Sequence, residues 1–316
     1  MMRSSVHYWF VGPAIILMFL LLIAPVFVAA ALSMTDYSLG NSGFNWIGWD
    51  NYEKLFTRRS YSKMFAASLT YVIVVVPISV ALGLGSALLI SSLRVGGEIY
   101  KAIFFLPVMA TLLAMAIVWE FALNPIVGVV NDILRSGCDK PQIYAFLTGS
   151  WLGYDPTESW FGSSCEKKFP LWLGDKKYAL GTIAFIGIWQ AFGFNMVLYL
   201  AGLTSVPREL YQAAHMDGAD SAWERFRLVT WPMLGPTHVF VVTISSIRSF
   251  QVFDTVEALT EGGPSKSTYV MVYAMFEKGV RQNLLGVGSA ITIVFLIFVL
   301  ILTLVQVYFV NRKVHY

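Results

Sequence analysis

Arg248 stands inside a run, Trp231 to Phe253, that otherwise holds no Asp, Glu, Lys or Arg. Around it the stretch "SSIRSFQVFD" gathers Ser245, Ser246, Ser249, Gln251 and Asp254. An ionisable group among apolar residues is costly, so it faces a cavity or a partner. The planar fork of a guanidinium suits paired hydroxyls or an acidic group on a ligand. Its structural alternative is a pair with Asp254 or with an acid on another chain. A second mixture lies upstream, where Trp189, Gln190, Phe194 and Asn195 set aromatic faces beside hydrogen-bonding side chains. That mixture suits a sugar ring, whose apolar patches are edged by hydroxyls; packing between helices is the alternative for the aromatics. On a helix, Asn195 shares a face with Ile188 and Ala191.

Other chemistries find no residues to carry them. The chain has no G-x-x-x-x-G-K-[ST] and no H-E-x-x-H, and His7, His215, His238 and His315 are too scattered to suggest a metal site. Catalytic residues, metal ligands and a bound cofactor are therefore not expected in this chain. A net charge of +3, with no basic cluster interleaved with aromatics, argues against nucleic acid. Gly83 and Gly85 in "GLGSALL" are expected to ease helix packing rather than to bind phosphate.

The elements that must position these residues are membrane spans. Of 316 residues, 57% are hydrophobic and 13% charged, about half the charged fraction of a soluble domain. Trp9 to Leu32, Phe65 to Ser92, Ala102 to Trp119, Tyr178 to Val206 and Leu284 to Val310 contain no charged residue. With the Arg248-bearing run they make six segments that approach or exceed the length needed to cross a bilayer. The expectation is an all-α integral membrane protein with six helices. The first is read as a retained span, too long for the apolar core of a signal peptide. Six spans put both termini on one side. Placing them in the cytoplasm gives inside segments with Arg3, Arg94, Lys101, Arg208, Arg225, Arg227, Arg312 and Lys313 in short flanks. The other side spreads its Lys and Arg through longer loops, which count for less. The longest of these, 121–177, holds both cysteines, Cys138 and Cys165. Two cysteines in one polar loop fit a disulfide in an oxidising compartment.

One charged segment interrupts this pattern: "ELYQAAHMDGADSAWERFRLVTWPML", Glu209 to Leu234. Pro207 opens a helix over Arg208 to Asp217, with Leu210, Ala213 and Ala214 on one face. Gly218 follows where a helix end needs positive φ. "SAWE" then has the form of a capping box that starts a second helix at Ser221, with Glu224 reaching back. A short alanine face anchors poorly in lipid, so this helix–turn–helix is expected to fit a protein socket.

The motif within it, "YQAAHMDGADSAWERFRLVTWPML", resembles the EAA motif of ATP-binding cassette importer permeases. "PVFVAAALSMTDYSL", "WIGWDNYEKLF", "YKAIFFLPVMATLLAMAIVWEFALNPIVGVVND", "GIWQAFGFNMVLYLAGLTSVPRELY" and "SFQVFDTVEALTEGGPSKST" are similar, in order, to carbohydrate permeases of the MalF/UgpA type. The resemblance implies a type I importer permease fold, one membrane domain over 1–316 with its core at about 65–310. It also implies a bacterial inner-membrane location. The implied complex has a second permease chain, two ATPase subunits that bind ATP and Mg, and an extracytoplasmic solute-binding protein. The segment 207–231 becomes a cytoplasmic coupling element, with Glu209, Gln212, Ala213, Ala214, Asp217, Gly218 and Ala219 as its docking residues. Gln212 departs from the family, which usually has Glu there to pair with a basic residue of the ATPase. The substrate pathway falls on Ile188, Ala191 and Phe194, with Trp189 and Asn195 beside them, and on Ser249, Gln251 and Val252 near Ser245 and Arg248. The implied cargo is a sugar, glycoside, polyol or glycerol phosphate. The alternative, an ion-coupled secondary transporter, needs acidic groups and broken helices at mid-membrane. Asp254 and Glu120 are placed nearer span ends.

Overall fold

A chain this poor in charge satisfies its backbone in lipid only as helices or a closed barrel, and helices are what form. The structure is a computed structural model and describes residues 5–41, 43–93, 95–139 and 170–313. Helix α1 (Ser5–Met18) passes through a π-helical turn, Phe19–Ile23, into α2 (Ala24–Ser33). Then come α3 (Asp50–Thr57), α4 (Arg59–Ser92), α5 (Gly97–Met109), α6 (Leu112–Ala122) and α7 (Val129–Asp139). Next are α8 (Ala179–Thr204), α9 (Arg208–Met216), α10 (Ala222–Arg225), a π-helical turn at Phe226–Thr230, and α11 (Trp231–Met233). The rest comprises α12 (Gly235–Phe250), α13 (Asp254–Leu259), α14 (Met271–Phe276), a third π-helical turn at Glu277–Arg281, and α15 (Leu285–Lys313).

Among the described residues five helical segments are long and apolar enough to cross a membrane: Phe10–Ser33, Arg59–Ser92, Ala179–Thr204, Gly235–Leu259 and Leu285–Val305. The expected span over Ala102–Trp119 is formed by the pair α5 and α6, bent by 97° and a sixth span only if the two count as one. The bend has a local cause. Ala110 is extended (φ −73°, ψ 141°), and Thr111 caps α6 by accepting the Ala114 N–H on its hydroxyl. A capping threonine in mid-run ends one helix and starts another.

The helical contacts fall into two compact units: residues up to Phe65 with Met271–Val305, and Ala66–Val270. In the first, buried Asn51 donates from Nδ2 to the carbonyls of Ser33 and Thr35, both at 2.9 Å, holding α3 against the end of α2. Hydrogen bonds from the backbone N–H and side-chain amide of Asn45 hold the Asp36 carboxyl below the ordinary carboxylate range.

The second unit carries the candidate site. Its helices approach closely where side chains are absent. A Cβ on Gly83 of α4 would lie 2.6 Å from the Asn195 Cβ of α8, and one on Gly202 of α8 would lie 2.6 Å from the Thr237 hydroxyl of α12. Gly83 thus does the packing expected of it. At Gly85 no atom of the described residues lies within 4 Å of the Cβ position. The two ends of the 121–177 loop are tied together by Trp172, whose indole N–H donates to Asn131 Oδ1 at 2.8 Å. The expected Cys138–Cys165 bridge falls outside the described residues.

Candidate functional site

The span carrying Arg248 is broken. Helix α12 ends at Phe250, Gln251 to Phe253 leave the helical path (Phe253 φ −142°, ψ −60°), and α13 restarts at Asp254. The Gln251 N–H is shared between the carbonyls of Ile247 (3.2 Å) and Arg248 (3.1 Å). Irregular backbone within a membrane span is tolerated where it is buried in protein or lines a cavity. Here it borders a cavity of about 320 Å³.

Four helices supply most of the cavity wall: Tyr71 and Val75 from α4, Val108 from α5, Gln190, Ala191, Phe194 and Asn195 from α8, and Ser245, Arg248 and Ser249 from α12. Gln251, Val252 and Phe253 join from the break, and Asp254 and Thr255 from α13. The structure thus gathers eight of the ten residues expected along a pathway. Ile188 and Trp189 are not among the lining residues. The Trp189 ring packs edge-on against Trp119, centroids 5.5 Å apart. Tyr71 and Thr255 are lining residues with no local signal in the sequence. Tyr71 sits in an uninterrupted apolar run, and only the packing of α4 against α8, where its hydroxyl lies over Gly187, brings it here.

Within the cavity the polar groups divide by what they touch. Asn195 is 1% exposed. Its Oδ1 accepts from the Ser245 hydroxyl at 2.8 Å, and its Nδ2 donates to the Ser79 hydroxyl at 3.3 Å. Three helices are clipped together by this chain, as buried polar groups require partners. Arg248 is exposed, with its guanidinium carbon 3.9 Å from the Phe194 ring centroid. Neither Arg248 nor Asp254 makes an ion pair among the described residues. A guanidinium lying on an aromatic face keeps its edge N–H groups for another acceptor. Arg248, Gln190 and Gln251 together offer several donors to a polar guest, with Phe194 seating the guanidinium. Among the described residues there is no cluster of three or more His, Cys, Asp or Glu that could hold a metal.

The second candidate region is built from neighbours in sequence. Pro207 precedes α9, and Gly218 takes φ +89°. Ala219 N–H donates to Ala214 O (2.9 Å) and Gly218 N–H to His215 O (3.1 Å), closing α9 in a Schellman motif. The Ser221 hydroxyl accepts from Glu224 N–H (3.1 Å) while Glu224 Oε2 accepts from Ser221 N–H (3.0 Å), completing the capping box. The Tyr211 hydroxyl meets Thr230 Oγ1 at 3.0 Å and ties the two arms. Glu209, Gln212, Ala213, Asp217 and Gly218 are exposed, Ala214 is half-buried and Ala219 is buried. A notch of about 560 Å³ lies between the arms, bordered by Ala213, Ala214, Asp217, Gly218 and Leu228.

Residues 79–315 match the family described as binding-protein-dependent transport system inner membrane component. The chain belongs to that family. It is similar to the probable ABC transporter permease protein YurN of Bacillus subtilis (strain 168), 28% identical over 97% of this chain and 96% of the relative. It is also similar to the sn-glycerol-3-phosphate transport system permease protein UgpA of Agrobacterium fabrum (26%, 98% and 96%). Its fold matches a chain of a bacterial ABC transporter involved in the import of the acidic polysaccharide alginate, with TM-score 0.77, 21% identity, and 99% and 97% coverage. An inner-membrane component of this family is a transport subunit, and membership sets aside the ion-coupled alternative. The helix break that such a transporter was expected to need is nevertheless present, at Gln251–Phe253. In this permease it shapes the cavity that holds Arg248.

Proposed function

We propose that this chain forms half of the membrane pathway of an ATP-driven importer for a sugar or sugar-like solute: an oligosaccharide, glycoside, polyol or glycerol phosphate. The observation that carries the reading is the Arg248 guanidinium on the Phe194 ring, free of any ion pair among the described residues, in a cavity with Gln190, Ser249 and Gln251. A guanidinium fork held on a ring, with amide and hydroxyl groups around it, complements a solute edged by hydroxyls or carrying an acidic group. Relatives named for glycerol phosphate and alginate transport support the same class.

In this reading a second permease chain completes the pathway, and two ATPase subunits bind ATP and Mg. The solute-binding protein delivers cargo from outside. The segment 207–231 lies in the cytoplasm with both termini and docks on an ATPase through Glu209, Gln212, Ala213, Ala214, Asp217 and Gly218, while buried Ala219 holds the turn behind them through its N–H to Ala214 O. Its exposed small residues admit close approach, and its caps keep the two helices rigid while doing so. Gln212 keeps a hydrogen bond where a carboxylate would make an ion pair.

The test is reconstitution of the complete complex with its binding protein in proteoliposomes, followed by uptake of labelled solutes. Uptake of a saccharide or polyol that requires ATP and ignores ionophores is expected. Uptake abolished by ionophores and indifferent to ATP would overturn the importer reading. ATP-driven uptake confined to amino acids or peptides would overturn the solute class.

A further inference from the structure

The ring contacts of the 207–231 segment continue past its end. Trp223 stacks on Phe226 (centroids 5.5 Å, planes 25° apart), Phe226 meets Trp231 at 5.9 Å, and Trp231 meets His238 of α12 at 5.0 Å. His238 Nδ1 and the Tyr199 hydroxyl share a hydrogen bond of 2.6 Å, and Tyr199 of α8 is fully buried. Five rings therefore lead from the exposed helix–turn–helix into the helical bundle.

What the chain reaches gives it meaning. Asn195 stands one turn from Tyr199 along α8, and Ser245 stands two turns from His238 along α12, on the same faces. Those two residues are hydrogen-bonded at the cavity wall. Helices α8 and α12 thus carry two polar rungs, one beside the helix–turn–helix and one at the cavity. Between helices that could pack with apolar side chains alone, a hydrogen bond fixes register as well as contact. Beside the first rung, Gly202 lets the Thr237 side chain come against the α8 backbone, so the crossing has no slack. Close-packed elements pass displacement on as bodies rather than by bending.

We infer that the Tyr199–His238 hydrogen bond is the joint that passes movement of the helix–turn–helix to the cavity wall. His238 and Tyr199 are then positioning residues of the transport cycle; neither lines the cavity. The inference rests on the proposal that the 207–231 segment docks on the ATPase. If the bond is made better in one state of the cycle than the other, losing it shifts the balance between them.

The experiment uses the complete complex in proteoliposomes. His238→Phe keeps a ring against Trp231 and removes the bond; Tyr199→Phe removes only the hydroxyl. His238→Asn keeps a polar atom near the Nδ1 position and gives up the ring. Expected for each Phe variant is a loss of about tenfold in the maximal ATP hydrolysis stimulated by loaded binding protein. Basal hydrolysis and the concentration of binding protein giving half-stimulation should stay within about twofold, a split that general misfolding would not produce. The double Phe variant should be no worse than either single, and His238→Asn should recover at least about half of the stimulated rate. Wild-type stimulation in Tyr199→Phe would overturn the inference, as would losses that multiply in the double variant or no recovery with Asn. Should His238→Phe fail to assemble, Tyr199→Phe decides by the same readout. Gly218→Val separates the two levels. If it uncouples while Tyr199→Phe does not, the joint is wrong and the docking proposal stands; if it couples normally, both fall.

Discussion

The cavity and the helix–turn–helix both interrupt apolar helices with polar residues, and they do so by opposite means. In the helix–turn–helix the polar contacts that shape the chain stay within the segment: Gly218 closes α9, Ser221 opens α10, and Tyr211 reaches Thr230. In the cavity the shaping contacts join distant parts of the chain, Ser79 to Asn195 to Ser245. One region presents its surface to water or a partner and keeps its shape through backbone capping. The other keeps its shape through buried side chains and leaves Arg248 available. The difference teaches where each should be vulnerable. Backbone conformation governs the first, and side-chain chemistry the second.

The largest effect is expected from Arg248→Ala. The guanidinium touches Phe194 and has no acid to neutralise among the described residues, so its removal strands no buried charge. Assembly and basal ATP hydrolysis should survive, while uptake falls by about 100-fold, the worth of one or two hydrogen bonds to a charged group. Arg248→Lys should restore little of it, because an ammonium lacks the planar fork. Poor assembly of Arg248→Ala, rescued by also replacing Asp254, would show a structural pair instead, and Arg248 would then no longer be available to a guest.

That contrast also explains what could be read before the fold was known. Pro207, Gly218, Ser221 and Glu224 each act within four residues of their target, so the spacing alone announces a helix, a turn and a second helix. Arg248 and Asn195 were conspicuous as polar residues in apolar runs. Which neighbours they would meet was not, because Tyr71 and Ser79 come from a helix more than 100 residues away. Nor did composition reveal the break at Gln251–Phe253. An apolar run reads as continuous helix whether or not its backbone turns aside at a cavity. The bend at Ala110–Thr111 escaped for the same reason: threonine is as acceptable inside a membrane helix as at its cap.

Gly218→Val probes the local region by its own rule. At φ +89° a β-branched residue is strained by roughly 1–3 kcal/mol, although among the described residues nothing lies within 4 Å of the added Cβ. The fault is therefore conformational and not steric crowding. Membrane insertion and assembly of the permease pair should be unaffected, while stimulation of ATP hydrolysis by loaded binding protein falls about tenfold. Gly218→Asn should fall much less, since asparagine tolerates positive φ better than other side chains. Equal losses in both would point to crowding by the docked partner, and the backbone rule would no longer describe this region.

The smallest and most direct comparison deletes the same atom in each place. Ser245→Ala removes the hydroxyl that donates to Asn195 Oδ1 in a site 5% exposed. The orphaned acceptor cannot turn to bulk water, so the expected cost is about 1–3 kcal/mol. Ser221→Ala removes the cap that accepts the Glu224 N–H, in a residue open to solvent. Water replaces part of what is lost, and caps of this kind are worth about 1 kcal/mol. The readouts should differ in reach as well as size. Amide exchange in Ser221→Ala should quicken over Ala222–Arg225 alone, with the thermal midpoint of the purified complex unchanged. In Ser245→Ala that midpoint should drop, and exchange should quicken in α4, α8 and α12 together, because one hydrogen-bonded chain joins all three. Exchange confined to α12 would mean that the Ser79–Asn195 contact holds without Ser245, and that the cavity wall is as local in its construction as the helix–turn–helix.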